Sequence, residues 1–215
     1  MNCTCIRIRL VTGFCPLVLI LAATPTRAAD DTFKRSAELG KRTAKTSDDV
    51  DNYVAQLDKT EQALASVSHA QSKDLKKRYE SFSKEIDSLE QVQKHATSDI
   101  EQMKSTGSEY FSAWGTSIAQ MSNPELKQAS SERRSKIMKD HDNLVVSLND
   151  IGSDLQPFMS NLHDLKAFME TDLSHENFAK AGGMIQKSQS DALALKGKIA
   201  GAQTTLKEFL SEAPK

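Results

Sequence analysis

Catalysis needs converging polar groups, and few residues in this chain stand at a spacing that would bring them together. A di-iron helical bundle carries Glu-x-x-His on two of its helices, and no glutamate here has a histidine three residues on. The nearest pattern, Asp172-x-x-His175, occurs once and straddles an expected helix boundary, so it reads as end-capping chemistry rather than as a metal site. There is no His-Glu-x-x-His, no phosphate-cradling glycine loop and no Gly-x-Ser-x-Gly elbow. No catalytic residue, cofactor or metal ligand is assigned, and the chain is expected not to be an enzyme.

Of the five histidines, only His141 falls on an apolar stripe, where a neutral imidazole paired across a helix interface is expected, with a pH-dependent packing switch as the alternative. His69, His95, His163 and His175 fall at helix ends or off the stripes and are expected in solvent. Lys76-Lys77-Arg78 and Arg133-Arg134 are interleaved with acids and read as solvated helix faces rather than nucleic-acid contacts.

The remaining candidate is a surface. The stretch from Glu109 to Asn123 holds the only tryptophan of the chain, and Phe111, Trp114, Ile118 and Met121 form a candidate interaction tip, with a structural cap of the rod end as the plainer and favoured reading of Trp114.

The elements that position this tip are helices. Alternate steps of four and three residues from Leu75 to Trp114 meet ten apolar residues in twelve, with Gln93 and Gly107 the exceptions. At the chain's hydrophobic average of 38% fewer than five are expected, so the stripe is a sustained helix-packing seam. The same stepping from Ile137 to Met169 meets nine apolar residues in ten. Between the two, Asn123 can cap the second helix, Pro124 suits its first turn and Glu125 complements its dipole.

Two weaker amphipathic segments flank this pair. Phe33, Ala37, Val50, Val54, Leu57, Leu64 and Val67 mark the first, and Phe178, Ala181, Ile185, Ala192, Leu195, Ile199, Ala202, Leu206 and Phe209 the last. Ser72 and Ser174 are expected caps, Gly182-Gly183 can delay or bend the last helix, and Pro157 is a candidate hinge whose plainer reading is a static curve.

The first 28 residues have the form of a secretory signal: Arg7 and Arg9, an apolar run from Leu10 to Ala23, and small residues at Thr26 and Ala28. The run is shorter than the roughly 20 residues that span a bilayer, so cleavage is expected over a retained anchor. All three cysteines lie in this segment, which leaves the mature chain without thiols. Cleavage takes three of the 28 bases and none of the 29 acids, leaving a net charge of about −4 that argues against binding nucleic acid or anionic lipid.

The stretch from Phe111 to Leu173 resembles a bacterial family of exported helical proteins, domain of unknown function 2959. The residues that carry the likeness are Phe111-x-x-Trp114, then Asn123, Leu126 and Ser130, then Asp142-x-Leu144, then Pro157 ahead of a Leu-Lys segment ending at Leu173. Gly115 stands where that family commonly has an acid, and His141 where it commonly has an aromatic. The resemblance implies a secreted coiled-coil-like domain without a known activity.

The expected fold is all-α: an elongated antiparallel up-down four-helix bundle with coiled-coil-like seams, following a signal peptide of residues 1–28. A single domain of residues 29–215 holds helices at about 31–70, 72–122, 124–172 and 174–211. A fold-back near residue 123 sets Trp114 against Glu132 and Arg133, Phe33 against Glu109 and Tyr110, and Phe209 against Ile137. The outer helices then stop short of Trp114, and the tip overhangs them by about 11 residues, roughly 17 Å.

The expected role is that of a non-enzymatic periplasmic or secreted structural or interaction protein. Its partner is another envelope protein or itself, with no nucleic acid and no stable membrane insertion. A bundle that binds a lipid or other apolar envelope ligand is the alternative.

Overall fold

The computed structural model describes residues 26–70 and 73–212. The leader up to residue 25 and the expected cap Ser72 lie outside the described residues. Four helices follow in order: α1 Thr26–Ser68, α2 Leu75–Ala119, α3 Pro124–Thr171 and α4 His175–Glu212. There is no strand among the described residues, and no helix there is long and apolar enough to cross a membrane.

Local chemistry accounts for the ends. The Asn123 side chain accepts from the backbone N–H groups of Glu125 (2.9 Å) and Leu126 (3.1 Å), with Pro124 at the first position of α3. Before it, α2 closes early on a tightened turn in which Met121 N–H donates to the Ile118 carbonyl. Ser174 Oγ accepts from Asn177 N–H at 3.2 Å and caps α4 as expected. Asp74 precedes α2 without a side-chain cap bond. At the start of α1, Asp30 pairs with Lys34 (2.6 Å) and Asp31 with Arg35 (3.0 Å), i to i+4 pairs that carry the helix five residues earlier than expected.

The helices pack in a ring, α1 on α2, α2 on α3, α3 on α4 and α4 on α1, and among the described residues no Cα atoms come within 8 Å across either diagonal. Partner numbers fall along one helix as they rise along the next. Arg35 meets Glu109, Lys45 meets Asp99, and Gln56 meets Glu85 between α1 and α2. Between α3 and α4 the pairs are Lys136 with Glu212, Asp154 with Lys198, and Asn161 with Asp191.

One core runs through all four helices, with Leu57, Phe82, Ile86, Leu89, Phe158 and Leu162 fully buried in it. Each such side chain contributes roughly 1.5–3 kcal/mol on burial. All ten expected seam positions of α3 and all nine of α4 are buried. In α1 the seam differs from expectation. Phe33 is 63% exposed and Ala37 is exposed, while Ser36, Leu39, Thr43, Thr46 and Tyr53 take the inner positions.

Helix α3 continues unbroken through Pro157, whose ring is exposed, and α4 continues through Gly182 and Gly183 without a delayed start.

Candidate interaction site at the Trp114 end

The C-terminal turns of α2 and the first turns of α3 hold the aromatic stretch. Phe111 and Ile118 are buried, while Trp114 and Met121 are half-buried. Trp114 donates from Nε1 to Ser130 Oγ at 3.0 Å, half a turn from the Glu132 and Arg133 pairing expected. Arg134 Nε donates to the Phe111 carbonyl at 2.8 Å. Tyr110 stacks at a tilt against both neighbours, with ring centroids 5.1 Å from Phe111 and 5.5 Å from Trp114.

The expected two-helix overhang is corrected on one side. Thr32 Oγ1 lies 2.9 Å from Ser117 Oγ, so α1 runs past Trp114 and covers one flank of the tip. A shift of α1 along α2 at this end is the reason, since Thr32 lies within the expected helix, and Arg35 rather than Phe33 engages Glu109, at 2.6 Å. Helix α4 does stop short. It ends at Glu212 against Lys136, and its Phe209 lines a groove with Ile137 as expected. The Trp114 end is therefore a three-helix section.

Just inside that end, two of the three odd seam residues of the middle helices meet. The His141 imidazole lies against Gly107, so closely that a Cβ atom there would collide with Nε2. Phe111 and Phe209 flank the ring at centroid distances of 5.5 and 5.7 Å. The cross-helix partner expected for His141 is absent, because neither ring nitrogen has a hydrogen bond, and Asp142 Oδ1 is 3.6 Å from Nδ1. Burial holds the pKa of this histidine below its ordinary value. The other four histidines are exposed.

A carboxyl pair between α1 and α2 escaped the sequence reading. Asp99 is 4% exposed and faces Asp49, with Lys45 reaching both carboxylates. Burial and the hydrogen bond to Asp99 push the Asp49 carboxyl up to about 6, while the bonds from Asp49 and Lys45 hold Asp99 below the usual carboxylate range. Two carboxyls set close together diverge in this way when one holds its proton and the other does not, and Asp49 Oδ2 is buried without any other hydrogen-bond partner. The only signal in the sequence was an acid beside the seam, one residue from Ile100.

Elsewhere, Asp172 accepts from the Ser174 hydroxyl at 2.8 Å while His175 is exposed, an arrangement that serves the helix end. No group of three His, Cys, Asp or Glu that could hold a metal occurs among the described residues. A cavity of about 40 Å³ lies between all four helices, lined by Val50, Tyr53, Ala96, Ile100, Leu148 and Ile199.

These features define a helical bundle with a buried carboxyl pair, a buried histidine layer and an aromatic end. The chain belongs to the family of proteins of unknown function DUF2959, whose model matches residues 32–212. No curated protein and no solved structure matches it.

Proposed function

We propose that this protein is a non-enzymatic structural or interaction protein of the bacterial periplasm, working after removal of its leader. The bundle is read as antiparallel, up-down and elongated, with coiled-coil-like seams. The steady fall of partner numbers between neighbouring helices supports this, as does a length near 70 Å for the 48-residue α3 at 1.5 Å per residue. The observation that carries the interaction role is the Trp114 end, where α4 stops and leaves three helices with half-buried Trp114 and Met121.

The alternative, a bundle that holds a lipid, draws on the interior cavity. At about 40 Å³ it is far below the roughly 150 Å³ that accommodates benzene, so a lipid chain would enter the interior only if the helices parted. Pro157 would be the hinge for that, yet Asp154 with Lys198 and Asn161 with Asp191 tie α3 to α4 on either side of it. The static curve is the better reading.

Cross-linking in the native envelope, followed by affinity capture, tests the role. We expect a discrete adduct that Trp114→Ala weakens several-fold without loss of helical circular dichroism. A strictly monomeric protein by light scattering, with no adduct at any face, rules the role out.

A further inference from the structure

The two most conspicuous exposed apolar residues near the Trp114 end are Phe33 on α1, at 63% exposure, and Leu126 on α3, at 64%. Neither is random in register. Phe33 stands four heptads before Glu61, which pairs with Lys196 of α4. Leu126 stands four heptads before Asp154, which pairs with Lys198 of α4. In helices packed on a seven-residue repeat, residues whole heptads apart face the same neighbour. Both residues therefore lie on stripes that face α4, beyond the point where α4 ends.

The unfilled length follows from the same pairs. Gln203 meets Asp51, and nine further residues bring α4 to Glu212, so α1 from about residue 41 back faces no fourth helix. On α3 the corresponding stretch begins before Lys136. About three helical turns of slot, roughly 18 Å, remain open at 1.5 Å per residue once the leader is removed.

The slot has a charge preference as well as an apolar wall. Arg133 is three heptads before Asp154 and so points the same way as Leu126. It is exposed, its charge opposes the upward push of burial on the Tyr110 hydroxyl, and it joins none of the ion pairs among the described residues. The acids nearby are already engaged: Asp30 with Lys34, Asp31 and Glu109 with Arg35, and Glu132 with Gln128.

We propose that this end is an open fourth-helix slot that takes one amphipathic helix from a partner protein, with an apolar face against Phe33 and Leu126 and a carboxylate edge against Arg133. The inference rests on the interaction role proposed above and names the site and chemistry of the partner. Helix-in-groove recognition of this kind reads anchors at i, i+3, i+4 and i+7.

The test uses two capped 16-residue helical peptides free of tryptophan, alike in a leucine face and differing in flanks of glutamate or lysine. Each is titrated against the protein while Trp114 fluorescence is followed. The glutamate peptide should bind saturably, at least tenfold tighter than the lysine peptide. Arg133→Glu should reverse that order, and Phe33→Asp should abolish binding, while Leu193→Ser, on an exposed face of α4, changes nothing. Circular dichroism confirms that each variant is folded.

Equal binding of the two peptides, or none, overturns the proposal. So does a dimer in sedimentation that Leu126→Asp dissociates, since the occupant is then a second copy. So too does protection of Phe33 in the uncleaved chain that is lost when residues 1–28 are removed. An envelope adduct that maps to another face, with no peptide binding here, defeats this inference alone and leaves the interaction role standing.

Discussion

Gly107 makes room for His141. Any side chain at 107 drives a Cβ atom into the imidazole, and overpacking of a filled interior costs about 1–3 kcal/mol. Gly107→Ala should lower the melting temperature by several degrees, and His141→Ala combined with it should cost less than the two single losses together. Additive losses would show that the two residues do not press on each other. The Asp49–Asp99 pair makes a separate prediction with a definite sign. Asp49 binds its proton more tightly folded, at about 6, than unfolded, near the ordinary value of 3.8, so its contribution is present at low pH and lost as pH rises through 6. Lys45 and His95 temper the rise on Asp49, and Arg42 acts with Lys45 on Asp99. His141 opposes it: neutral when folded and protonated when unfolded, it removes stability as pH falls through its ordinary value of 6.5. The lowered Asp99 offsets part of the Asp49 effect, so Asp49→Asn should be more stable than wild type at pH 8 by less than the rise on Asp49 alone would give. That advantage should shrink steadily below pH 6. A difference in melting temperature that is the same at pH 8 and pH 5 would remove the Asp49 proton from the account.

At the scale of elements, α3 and α4 were legible because apolar residues fill their inner positions almost without exception. Helix α1 was only half legible. Its inner row runs Ser36, Leu39, Thr43, Thr46, Val50, Tyr53, Leu57, Thr60, and a hydrophobic count passes over the hydroxyls. They are tolerated inside because they bond within the helix, as Thr43 Oγ1 does to the Leu39 carbonyl and Thr60 Oγ1 to the Gln56 carbonyl, each at 2.9 Å. Asp99 was missed for a related reason, since its burial is made tolerable by partners on another helix, Lys45 and Asp49. At the Trp114 end the sequence named Phe111, Trp114, Ile118 and Met121, but the wall that Phe33 and Leu126 provide depends on where α4 stops. The Gly182-Gly183 pair is a conflict that the fold absorbs, since α4 runs through both and a Cβ at either would meet nothing within 4 Å. Gly182→Ala and Gly183→Ala should each stabilise the protein by about 0.5–1 kcal/mol in urea unfolding. Destabilisation by either would mean that the helix needs its freedom there.

Across the whole molecule, a core shared by four helices thins to three at one end, and Trp114 sits where it thins. Local opening is favoured where buried contacts are fewest. Tryptophan fluorescence should therefore report a melting midpoint a few degrees below that of helical circular dichroism, and superimposable curves would show the end to be as firmly held as the middle. The ring of contacts also sets an order of assembly. Three of its seams join helices that follow one another in sequence, while the fourth, between α1 and α4, is held by groups such as Glu61 and Lys196, 135 residues apart. Closing so long a loop carries the largest entropic cost, and contacts distant in sequence form slowly. The first two helices can therefore pack as soon as both exist, and the last seam acts as the clasp that turns an open sheet of helices into a closed bundle.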